Sequence, residues 1–152
     1  MSEIRRATEA DAQELARLRV ASLIEQGHLR DADPRPFELR AVDDFVRLFR
    51  EGRLVAWVLC SDDAIVGSAC AIYFERLPFP DGTLHAELSG VYVAPSHRGA
   101  GCASRLVMAV VEEVRASRVR RTFLRPSPGA RSLYARLGFV DDTAGIMALT
   151  TS

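Results

Sequence analysis

The sequence predicts an α/β domain in which a mixed, mostly antiparallel central sheet is flanked by helices on both faces. Strand signals in the first half come as hairpins, and in the second half strands alternate with helices. The length of 152 residues and the 48% apolar content suit one globular domain spanning residues 1–152 with a sizeable core.

Ile4 to Arg6 reads as a short strand, and Thr8 with Asp11 forms a capping box that opens a helix. Leu15, Leu18, Leu23 and Ile24 give that helix one apolar stripe, ending at Gly27. His28 to Arg40 contains Asp-Ala-Asp-Pro-Arg-Pro and reads as a loop, because proline suits neither a helix interior nor a central strand. Val42, Phe45, Val46 and Phe49 mark a second helix that ends at Gly52. From Leu54 the period shortens. Leu54 to Cys60 and Ala64 to Tyr73 read as a β-hairpin around Ser61-Asp62-Asp63, with Gly67 permitting a bulge. Glu75 to Thr83 is a turn-rich excursion carrying Pro78, Pro80 and Gly82, after which Leu84 to Val93 forms a strand. A helix over Gly101 to Ser117, a strand over Val119 to Leu124, a helix over Gly129 to Leu137 and a final strand over Phe139 to Leu149 complete the pattern.

Composition narrows the chemistry. Twenty arginines balance twenty acids for a formal charge of zero, so no field favours nucleic acid or an anionic membrane. Arg115, Arg118, Arg120, Arg121 and Arg125 form the one basic concentration, either a solvated helix end or a contact for a cofactor phosphate. The chain has no lysine, which excludes a Schiff base. Three cysteines without CxxC spacing and three scattered histidines give no metal-ligand pattern, and free thiols fit a reducing cytoplasm. Ser2 to Asp11 is polar and charged, unlike a signal peptide, and no apolar run approaches the ~20 residues of a membrane helix, so a cytoplasmic protein is expected.

The most informative stretch runs from Val91-Tyr92-Val93 through Ala94-Pro95-Ser96-His97 into Arg98-Gly99-Ala100-Gly101-Cys102-Ala103-Ser104. A strand breaks at proline, passes a glycine-rich turn and enters a helix. Helix N-termini carry unpaired N–H donors and partial positive charge, and glycines let a pyrophosphate approach them. A mononucleotide P-loop would require Gly-Lys-Ser/Thr, which a chain without lysine cannot supply. A dinucleotide fingerprint would need a third glycine where Ser104 stands and an acidic residue ending a second strand. Arg98, Gly101 and Ala103 instead fill Arg-x-x-Gly-x-Ala, and farther on comes Ser127-Pro128-Gly129-Ala130-Arg131-Ser132-Leu133-Tyr134-Ala135-Arg136-Leu137-Gly138-Phe139. On these two motifs, in this order, and on the Ile4 to Asp11 opening, the chain resembles the GCN5-related N-acetyltransferase (GNAT) superfamily.

The resemblance implies the acyl-CoA N-acyltransferase fold, acetyl-CoA as co-substrate, no metal, and transfer to a primary amine by direct attack in a ternary complex. It implies that backbone groups of Val91, Tyr92 and Val93 bind pantetheine between diverging strands, and that Arg98, Gly99, Ala100, Gly101, Cys102, Ala103 and Ser104 hold the pyrophosphate, mainly through main-chain N–H groups. Ser127 stands where many members carry an asparagine that bonds the cofactor arm. Tyr134 is the candidate general acid, because a phenol of pKa near ~10 stays protonated at neutral pH and can donate to a departing thiolate; otherwise it packs. Glu87, on the strand entering the site, is the leading base, directly or through a water; otherwise it faces solvent. His85 and His97 are the other candidate bases, and Glu25 and His28 would line the acceptor pocket. Cys102 would fit closely against the cofactor, so alkylation there would block binding. An acyl-CoA-binding sensor or accessory module without efficient turnover is the alternative function. The resemblance also leaves a homodimer open.

Overall fold

A computed structural model of the chain describes residues 2–30, 33–142, 145 and 147–150. Its centre is a five-stranded sheet built from β1 (Ser2–Arg6), β2 (Leu54–Ser61), β3 (Ala64–Glu75), β4 (Leu84–Val93) and β5 (Thr122–Phe123), neighbours in that order. The first four strands pair antiparallel. β5 runs parallel to β4 and meets it at only two pairs, Ala86 with Thr122 and Glu87 with Phe123. The β2–β3 hairpin turns at Asp62 and Asp63, whose φ angles of 49° and 64° match the turn type that follows strand twist.

Side chains alternate between two cores, as a strand's period of two requires. Leu54, Ala56 and Val58 point to the face covered by α1 (Ala12–Glu25) and α2 (Arg35–Arg50), together with Leu15, Leu18 and Cys70. Val55, Leu59, Ala71 and Leu88 point to the opposite face, covered by α3 (Cys102–Arg115). α3 buries Cys102, Leu106, Val107, Val110, Val111 and Val114, an i, i+4, i+5, i+8 stripe that fixes its seat on the sheet. Glu113 stands beside that stripe, accepting from Trp57 Nε1 at 3.0 Å and from Arg6 Nε and Nη2 at 2.9 Å each, so it joins α3 to β1 and β2.

Four sequence expectations are corrected. α2 begins at Arg35, inside the expected loop: Pro34 precedes the helix and Pro36 sits in its first turn, where a missing N–H costs nothing. β5 is shorter than the expected Val119 to Leu124, since its ladder with β4 ends after two pairs. The described residues of the expected final strand, Phe139 to Leu149, form none; Asp141, Asp142 and Gly145 are poor strand formers, and Val140, Met147 and Leu149 are at least 88% exposed. Thr143, Ala144 and Ile146 lie outside the described residues. α4 (Arg131–Arg136) is also a turn shorter than the tyrosine-bearing helix expected there.

Candidate active site

The site begins where β4 loses both its neighbours' regularity. On the β3 side Ser68 pairs with Tyr92 and Cys70 with Ser89, so Gly90 and Val91 together face Ala69. This is a bulge, and Gly90 supplies its left-handed conformation at φ 64°. The Ser68 hydroxyl donates to the Gly90 carbonyl at 3.1 Å and holds the bulge in place. On the other side, β5 pairs with nothing beyond Glu87, so the strands part there. The main chain of β4 from Leu88 onward consequently borders a gap in the sheet plane.

Past Val93 the chain is pinned by Ala94 N–H donating to the Val66 carbonyl at 2.8 Å, turns through a short 3₁₀ segment at Pro95–His97, and reaches α3. Gly101 caps α3 at φ 74°, and a Cβ placed there or at Gly99 would meet nothing within 4 Å. The N–H groups of Cys102, Ala103 and Ser104 form the first turn and have no i−4 acceptor within the helix. Glycines, an open approach and unpaired donors fit a pyrophosphate. The parted β4 edge likewise fits an extended amide-bearing arm. Among the described residues no group of three or more His, Cys, Asp or Glu could hold a metal ion.

The Arg98 side chain is engaged within the protein. Its Nε donates to the Val93 carbonyl at 2.7 Å, its Nη2 reaches Glu25 Oε2 at 2.8 Å, and its guanidinium lies 5.5 Å from the centre of the Tyr92 ring. The side chain therefore ties the loop to the end of α1, while the Arg98 N–H closes the 3₁₀ turn on the Pro95 carbonyl at 3.4 Å. The paired Arg98 guanidinium holds the Glu25 carboxyl below the usual carboxylate range. Cys102 is 5% exposed and packed in the core under α3, so its thiol does not line the loop's open surface, and blocking of a ligand by its alkylation is not expected of the folded protein.

The other expected residues lie on different elements. Tyr134 packs half-buried against the α3 core and edge-on to Phe139, with ring centres 5.8 Å apart, and burial pushes its phenol above the usual value. It lines a cleft of about 910 Å³ between α3, β5 and the tail, together with Phe123, Leu124 and Arg131. Glu87 is partly exposed, with a carboxylate oxygen 3.8 Å from Arg125 Nη1. Ser127 is exposed, and its carbonyl accepts from Ala130 N–H before α4. His85 is fully buried between the Phe74 and Phe123 rings, its Nε2 3.1 Å from the Gly82 carbonyl oxygen; His97 contacts Ser96 Oγ at 2.9 Å, and His28 is exposed.

A second cavity, of about 270 Å³, opens between α1, α2 and the sheet, and Ser89 and Gly90 form part of its wall. It thus adjoins the bulge. Its walls share no residue with the cleft that Tyr134 lines, and neither includes Glu87. Sequence reasoning missed this cavity's charged lining. The available signal was Arg19, which follows Leu15 by four residues and precedes Ser22 by three on the buried stripe of α1.

Comparison with known proteins agrees with this geometry. The model of the acetyltransferase (GNAT) family matches residues 20–139. The chain belongs to that family. Similar solved structures include a predicted acetyltransferase from Clostridium acetobutylicum with acetyl-CoA, at TM-score 0.87 and 21% identity, covering 98% of this chain and 96% of that one. A GCN5-related N-acetyltransferase from Ralstonia eutropha gives 0.83 and 23% over 98% and 99%. A Trypanosoma brucei acetyltransferase gives 0.71 and 27% over 99% and 100%. Among curated proteins none matches the sequence.

Proposed function

We propose that the chain is an acetyl-CoA-dependent N-acetyltransferase, a single domain that passes an acyl group to a primary amine by direct attack in a ternary complex. The observation that carries this reading is the contiguity of the bulged, half-unpaired β4 with the glycine turn and the open first turn of α3. Acetyl-CoA supplies an activated acyl thioester.

The chain's own groups do the rest. Main-chain groups of Val91, Tyr92 and Val93 bind the pantetheine arm and polarise the thioester carbonyl, while N–H groups of Arg98 to Ser104 hold the pyrophosphate. Ser127 hydrogen-bonds the arm. Glu87 takes the proton that the amine must lose, directly or through water, and Tyr134 returns a proton to the departing thiolate. The phenol is protonated at neutral pH with or without burial, which raises it further, so it is a donor and not a base there. The three free thiols, and the absence of any described helix able to cross a membrane, are compatible with a cytoplasmic enzyme.

A second reading, an acyl-CoA-binding sensor, draws support from neither Tyr134 nor Glu87 lining the cavity beside Gly90. Calorimetry with acetyl-CoA, followed by thiol release with a panel of amines, tests both. Binding with amine-dependent release supports the transferase, binding without release supports the sensor, and no binding overturns both.

A further inference from the structure

The cavity beside Gly90 has a chemical character that acyl transfer as such does not require. Its floor and walls are apolar, formed by Phe37, Phe45, Leu48, Leu54 and Ile72. Two arginines, Arg19 from α1 and Arg40 from α2, line it with one acid, Asp44. That carboxylate already faces Arg47 at 3.4 Å. Neither Arg19 nor Arg40 has a hydrogen bond or ion-pair partner among the described residues, and the positive charge of Arg19 is felt at the buried Cys70. At about 270 Å³ the space lies below the range of drug-sized pockets, which begins near ~300 Å³, and suits a molecule of amino-acid size.

We propose that the acceptor amine carries its own carboxylate on an apolar body, as an apolar amino acid does. The carboxylate pairs with Arg19 and Arg40, and the body lies against Phe37, Phe45, Leu48 and Ile72 with the amine toward the bulge at Gly90. This rests on the acyl-transfer reading above. Charge decides against a polyamine or other polycation: two uncompensated guanidiniums repel it, and one shared carboxylate cannot answer several ammonium groups. The planar fork of arginine matches a carboxylate in two parallel hydrogen bonds, and an apolar wall excludes a strongly hydrated headgroup.

The test compares phenylalanine and leucine with their carboxamides, phosphoethanolamine and spermidine, after calorimetry with acetyl-CoA on the same protein. The expected result is thiol release with the acids at a kcat/KM at least about tenfold above that of the amides, the size of one lost charged hydrogen bond. Arg19→Gln and Arg40→Gln should each bring the acid-to-amide ratio toward one through KM, with acetyl-CoA affinity unchanged. Equal use of acids and amides by the unaltered protein overturns the inference. So does preference for spermidine or phosphoethanolamine, or acetyl-CoA binding without release from any of these amines; each leaves the acetyl-CoA site standing. Absence of acetyl-CoA binding overturns the transfer reading and this inference with it.

Discussion

The Arg98 guanidinium lies 2.8 Å from the Glu25 carboxylate, so the loop entering α3 and the end of α1 are held to one another across the top of β4. Arg98 also donates to the Val93 carbonyl at 2.7 Å, which makes the pair a clasp on the strand's last residue. Its worth to overall stability is small because both groups are solvent-exposed, and its effect is expected on loop geometry. Glu25→Gln should weaken acetyl-CoA binding a few-fold with little change in Tm. The Glu25 pKa is lowered on folding, so the clasp is complete above the ordinary carboxylate range and is lost as pH falls through the lowered value. The acid side of an affinity-against-pH titration should therefore flatten in Glu25→Gln, and an identical profile would show the clasp to be inert.

Gly101 separates backbone strain from ligand charge. At φ 74° with nothing near its Cβ, Gly101→Ala should cost about 1–2 kcal/mol in denaturant unfolding from conformation alone. Gly101→Glu adds a carboxylate at the proposed pyrophosphate site and should abolish acetyl-CoA binding in calorimetry. Retained affinity there would disprove the loop assignment.

Tyr134→Phe keeps the ring against Phe139 and removes only the hydroxyl. If the phenol is the general acid, kcat falls by about 10²-fold, at the lower end of what acid–base catalysis contributes, while acetyl-CoA affinity barely moves. Burial raises the phenol, so the alkaline loss of activity should set in above pH ~10. An unchanged kcat would reduce Tyr134 to packing.

Glu113 collects Trp57 from β2 and Arg6 from β1 while riding on α3, with its side chain 24% exposed. Glu113→Ala should destabilise the fold by about 1–3 kcal/mol, since a part-buried indole N–H loses its acceptor. Chemical denaturation reads this, and activity per folded molecule should stay constant.

Thiol labelling checks the packing of both cores. Burial pushes the Cys70 thiol up to about 12, and Cys102 is 5% exposed, whereas Cys60 is half-buried at the end of β2. A thiol reagent at pH 8 should modify Cys60 first and reach Cys70 and Cys102 only on unfolding. Fast labelling of Cys102 would contradict its seat beneath α3.

Legibility followed the range of the forces involved. The β2–β3 hairpin, β4 and α3 were plain in the sequence because each carries its own period and its own turn chemistry within a dozen residues. Arg35 as a helix start was not, because the rule that prolines break helices is reversed in the first turn. The loop from Arg98 to Ser104 announced itself through its glycines and its place before an apolar stripe. The destination of the Arg98 side chain did not, because Glu25 is 73 residues away and only the fold brings them together. The cavity of Arg19, Arg40 and Phe37 is likewise a product of two helices meeting over one sheet. A cation on an otherwise buried helix stripe was its single local trace.

The two-rung seam between β4 and β5 also sets how binding and folding are linked. The described residues after α3 join the sheet through the two pairs of Ala86 and Glu87 with Thr122 and Phe123 and through the Ala86 N–H on the Arg121 carbonyl, and Val119, Leu124, Tyr134 and Phe139 pack against the core. An arm that hydrogen-bonds along β4 while touching β5 would act as the strand the seam lacks. Occupancy would then be felt as cohesion between the sheet and the segment after α3: amides in β5 and α4 would exchange more slowly, and together, when the slot is taken.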